Sequence, residues 1–167
     1  MGRDKRNEQR FEHFTKLTRN MMETDAWREL SICAQALYPW IKLEWHGPNN
    51  NNNGKIRLSV RQAASRLGVS INTAARAFHD LQAKGFIVIT EHAHLGVSGS
   101  ATSPAFELTE IPISHVKRHE GRKLYRHWKK GADYPVHKAN VHNPHGRRNK
   151  RSPVIEMMTA RHRIGDR

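Results

Sequence analysis

The sequence predicts a mainly helical α+β fold, with two short helices in tandem, strands on either side of them and an antiparallel hairpin. Three observations carry the prediction. Residues 70–87 mark a helix at both ends: Ser70 opens it, Ala74, Ala77, Phe78 and Leu81 form its apolar stripe, and Gly85 stops it. Residues 58–70 hold a shorter helix ending in Leu67-Gly68-Val69-Ser70, so a glycine-containing turn of a few residues joins the two. That is the spacing of a helix-turn-helix, whose second helix can enter a DNA major groove. Third, the β-prone run Phe86-Ile87-Val88-Ile89 comes directly after the second helix, and Ala105-Phe106-Glu107-Leu108-Thr109 alternates apolar and polar residues further on.

Taken in order, the first ten residues are polar, and Phe11, Phe14 and Leu17 mark a short segment that packs on the helical stretch after it. Thr24 or Asp25 caps a helix whose buried face is Trp27, Leu30, Cys33, Ala34, Leu37, Tyr38 and Ile41, at three- and four-residue steps. Pro39 is expected to bend or end this helix. His46 to Gly54 has the composition of a polar loop, and Lys55-Ile56-Arg57-Leu58 reads as a short strand. Two later strands, Phe86–Glu91 and Ala105–Thr109, enclose the Gly-, Ser- and His-rich stretch His92–Pro104 and make a hairpin wing. The order of elements is that of a winged helix-turn-helix with a three-stranded antiparallel wing sheet. The expected division is an N-terminal arm at 1–24, the DNA-binding domain at 25–111 and a basic, largely disordered C-terminal tail at 112–167, within which Gly121–Lys130 is compatible with one or two helical turns that set Leu124, Tyr125 and Trp128 on one side.

The charge distribution supports a polyanionic partner. The chain of 167 residues has a formal net charge of +14, an isoelectric point near 10.6 and a mean hydropathy of −0.80. Residues 1–24 contribute +2 and residues 25–113 only +1, whereas residues 114–167 hold fifteen Lys/Arg against four Asp/Glu, a balance of +11. The reading domain is nearly neutral and the tail carries the electrostatics. With 37% hydrophobic residues, part of the chain is expected to lie outside any core.

The pattern Ser70-x-x-Thr73-Ala74-x-x-Ala77-Phe78-x-x-Leu81-x-x-x-Gly85-Phe86-Ile87 resembles the winged helix of bacterial GntR- and MarR-type regulators and of phage and plasmid replication initiators. The stretch Asp25-Ala26-Trp27-Arg28-Glu29-Leu30-Ser31 with Ala34-x-Ala36-Leu37-Tyr38 is similar to small helix-turn-helix proteins of bacterial mobile elements. The resemblance covers about residues 11–111. It implies a transcriptional regulator of a mobile element or, alternatively, a replication-initiation or maintenance protein that binds origin repeats. Nothing matches the effector domain that GntR-type proteins append.

With the apolar stripe turned inward, the second helix presents Asn72, Ala75, Arg76 and His79, with Ser70 and Thr73 at its N-terminal end. Arg76 is long enough for a bidentate contact with guanine, and Asn72 suits adenine. Arg57, Arg61 and Arg66 flank the motif as candidate phosphate clamps, which position a protein without reading sequence. From the wing, His92, His94, Ser98, Ser100 and Thr102 are within reach of an adjacent groove or backbone. An RNA-binding or protein-docking module is the reading from another class.

Enzyme signatures are missing: there is no Gly-x-Ser-x-Gly, no phosphate-cradling loop with Lys-Ser/Thr and no His-Glu-x-x-His. His92-x-His94 lacks further ligands at metal spacing, so neither metal nor cofactor is expected. The single cysteine, Cys33, excludes an intrachain disulfide and fits a core position. With no signal peptide and no run of 18 apolar residues, a cytoplasmic, nucleoid-associated protein with no membrane partner is expected. The oligomeric state is left open, a homodimer included.

Overall fold

The computed structural model describes residues 14–95, 101–113 and 120–138. Its elements are α1 (Arg19–Met22), α2 (Asp25–Arg28), α3 (Ile32–Leu43), β1 (Ile56–Arg57), α4 (Val60–Leu67), α5 (Ile71–Ala83), β2 (Ile87–Glu91), β3 (His94–Leu95), β4 (Ala101–Thr102) and β5 (Ala105–Leu108), with a 3-10 turn at Leu124–Arg126. The architecture is mixed α+β and mainly helical, with a three-stranded antiparallel sheet.

Capping chemistry sets the helix boundaries. Ser59 opens α4 with a capping box: its hydroxyl accepts from Gln62 N–H at 3.2 Å, and the Gln62 carbonyl oxygen accepts from Ser59 N–H at 3.0 Å. Beyond Gly68 the Val69 N–H closes on Ala64 O at 3.1 Å, and Ser70 then caps α5 by accepting from Thr73 N–H at 3.1 Å. The α5 stripe of Ala74, Ala77, Phe78 and Leu81 is buried against α3 and α4. At its far end Gly85 takes φ +74°, the left-handed region that a side chain makes costly.

The expected single helix over 26–41 is two helices. Thr24 caps α2, and Ser31, with φ −60° and ψ 150°, leaves the helical region and caps α3 by accepting from Ala34 N–H at 3.3 Å. A second acceptor secures this break: Asp80 of α5 receives Ser31 N–H at 2.7 Å. Pro39 does not end the helix, which continues to Leu43. Ala34, Leu37, Tyr38 and Ile41 are wholly buried on its inner face, and their packing outweighs the one hydrogen bond that proline removes.

In the sheet, β5 lies between β1 and β2, pairing Ile56 with Phe106 and Ile87 with Leu108. The register shifts between Ile89 and Glu91. The interval expected as one loop also contains a short β3–β4 ladder, with His94 opposite Thr102. The asparagine loop is tied down by Asn53, which is 2% exposed. Its amide donates to Ile111 O at 2.8 Å and Leu108 O at 3.0 Å, and its oxygen accepts from Leu108 N–H at 2.7 Å.

The largest departure from expectation lies past residue 112. Residues 120–138 are not a disordered tail; they form a strap across the sheet and the end of α5. Tyr125 and Trp128 are buried, and Tyr125 stacks on Phe86 with ring centroids 4.9 Å apart and planes 3° from parallel. Phe86 also meets Trp27 and Tyr38 edge-on at 5.6 and 5.4 Å, so the strap completes an aromatic core begun in α2 and α3. The strap explains why β5 is buried at all four positions. Glu107, outward by alternation, is 2% exposed because Arg122 covers it and holds its carboxylate at two points, one of them 2.8 Å. Gly121 allows this approach, since a Cβ there would stand 2.4 Å from Glu110 backbone carbon.

A second polar cluster sits beside the core. Lys42 donates to Glu110 at 2.7 Å and Tyr38 O–H donates to the same oxygen at 3.0 Å. Burial, reinforced by the Glu110 carboxylate, pushes the Tyr38 phenol well above its usual range.

Candidate nucleic-acid interface

A helix turns about 100° per residue, so Asn72, Arg76, His79 and Ala83 fall on one line along α5, away from its buried stripe. The structure exposes Asn72 and Arg76, and half-buries Thr73, Ala75 and His79. Thr73 is occupied locally, its hydroxyl 2.8 Å from that of Ser70, which keeps both at the helix N-terminus.

Arg76 stands apart because the acid best placed to hold it is committed elsewhere. Asp80, one turn along, accepts from Lys84 at 2.6 Å with one oxygen and from Ser31 N–H with the other. Arg76 therefore has no ion-pair partner among the described residues and projects from the exposed side of α5. Arg61, exposed on α4, is likewise without an ion-pair partner among the described residues.

The other flanking arginines are engaged within the protein. Arg57 pairs with Glu91 and donates to Ser103 O, tying β1 to the hairpin. Arg66 meets Glu44 at 2.6 Å and lies over the Trp40 ring at 5.2 Å, tying α4 to α3. His94 is exposed, 3.6 Å from Glu91. Ser98 and Ser100 lie outside the described residues.

His79 is not the open reader the helical line suggests. The strap runs back along α5: Tyr134 N–H donates to Ala83 O at 2.8 Å, and His137 N–H to the Gln82 side chain at 2.9 Å. Lys138 then lies beside His79, whose imidazole is shifted downward by burial and, secondarily, by that ammonium charge. The outward face of α5 is consequently bare over its first two turns and covered beyond them. Ile71, 53% exposed in the first turn, stands seven residues before Phe78, at the open N-terminal end of the apolar stripe and not on the Asn72–Arg76 line. Nothing local in the sequence marked Lys138 or His137 as neighbours of α5.

Among the described residues no group of three or more His, Cys, Asp or Glu could hold a metal ion, and no helix is long and apolar enough to cross a membrane. Compared with family models, curated proteins and solved structures, the chain matches none.

Proposed function

We propose that the chain is a sequence-specific double-stranded DNA-binding protein of winged helix-turn-helix type, acting as a transcriptional regulator of a bacterial mobile element. One observation carries the reading: the first two turns of α5 expose Asn72 and Arg76, on a helix whose opposite face is locked into the core. An amide and a guanidinium one turn apart match adenine and guanine edges in a major groove. The β2–β5 hairpin, extended by β3–β4, stands next to α5 as a wing would. The regulatory role is what the resemblance of residues 11–111 implies. The basic residues beyond 138, seven Lys/Arg against two Asp/Glu, add affinity that does not depend on sequence.

Binding-site selection from a random duplex library tests this. The wild-type chain enriches a defined sequence; Arg76→Ala weakens binding to it by about 1–3 kcal/mol and relaxes preference at one base pair. An identical preference in the variant refutes the role of Arg76, and no enrichment by the wild type refutes sequence-specific binding.

A further inference from the structure

We propose that His79, His92, His137 and Lys138 form a binding site for a DNA backbone phosphate beside the Arg76 face, with a hold that strengthens as the pH falls. The site rests on the DNA-binding reading of α5 and deepens it. Three separate parts of the chain build it: α5 supplies His79, the end of the hairpin strand supplies His92, and the strap supplies His137 and Lys138. The strap is fixed in place, because its backbone N–H groups at Tyr134 and His137 both donate to α5. The His92 and His137 rings lie with centroids 3.9 Å apart and planes at 41°.

The acids packed around the site are spoken for. On the hairpin, Glu91 pairs with Arg57 and lies near His94; on α5, Asp80 pairs with Lys84; in the strap, Asp133 accepts from Trp128 Nε1 at 2.9 Å. Lys138, next to His137 in the strap and beside His79, adds a permanent cation, and histidine as a residue type gains its charge between about pH 5 and 8. A phosphate is the anion that a duplex brings. Its position fits: His79 is three residues beyond Arg76, about 4.5 Å of helix rise, and a major groove is about 12 Å wide.

The test uses the full-length chain and a duplex carrying its selected sequence, with dissociation constants measured at about pH 6 and about pH 8 and over about 50–200 mM salt. The wild type binds severalfold tighter at the lower pH. The His92→Gln/His137→Gln double variant loses most of that ratio, and Lys138→Gln flattens the plot of log affinity against log salt by about one unit while Lys138→Arg does not. All three positions are exposed, so the fold is retained. Variants that keep the wild-type pH ratio and salt slope, while Arg76→Ala still relaxes specificity, overturn the phosphate site alone. Absence of any duplex binding by the wild type overturns the DNA reading with it.

Discussion

Tyr125→Ala is the most direct probe of whether the strap belongs to the domain. The ring is 2% exposed and lies flat on Phe86, itself wholly buried and edge-on to Trp27 and Tyr38. Deleting a buried aromatic side chain removes its transfer free energy and leaves a cavity, a loss of about 3–5 kcal/mol. Against a total stability of about 5–15 kcal/mol, that is a large share. Urea unfolding followed by tryptophan fluorescence reads the effect, since Trp27 and Trp128 both belong to the same buried cluster. With a slope of about 2 kcal/mol per molar, the midpoint falls by about 2 M. Arg126→Ala, on the exposed side of the same turn, is the control and stays within about 0.5 kcal/mol of wild type. A Tyr125→Ala midpoint equal to wild type, or a loss matched by Arg126→Ala, refutes the placement of the strap.

Two other outcomes rest on the same geometry. Gly85→Val is strained twice, by φ +74° and by a Cβ that would stand 2.7 Å from Tyr134 Cε2; it lowers stability by more than about 1 kcal/mol, and an unchanged melting temperature contradicts this. Truncation after Lys138, which spares the strap, leaves base preference intact and flattens the salt dependence by several units. Equal salt slopes for the truncated and full-length chains show that residues 139–167 do not bind DNA.

The tandem helices were legible because their signals are local: Ser59 with Gln62, Ser70 with Thr73, and the two glycines act within one turn of themselves. The same holds for the sheet, where Ile56, Phe106 and Leu108 turn to the core as alternation requires. Of the strap only the helical turn with Leu124, Tyr125 and Trp128 on one side was legible, because its partners are distant in sequence. Tyr125 needs Phe86, Arg122 needs Glu107 and Lys130 needs Glu29, and no period within residues 114–138 announces them. Alternation even points the wrong way at Glu107, whose burial comes only from the layer above it. At the interface, composition could count Arg57, Arg66 and Arg76 but not sort them. Sorting depended on where Glu91, Glu44 and Asp80 end up.

The strap also sets the order in which the chain can finish folding. Phe86 and the outer face of β5 are made before their cover, because Tyr125 and Trp128 come last among the core aromatics. During synthesis at about 5–20 residues per second, the seventeen residues from Pro112 through Trp128 take about one to three seconds to add. For that interval Phe86 lacks its stacked partner Tyr125 and the Glu107 carboxylate lacks Arg122. A chain halted within this window has the residues of all its α-helices but not the layer that covers Phe86 and Glu107.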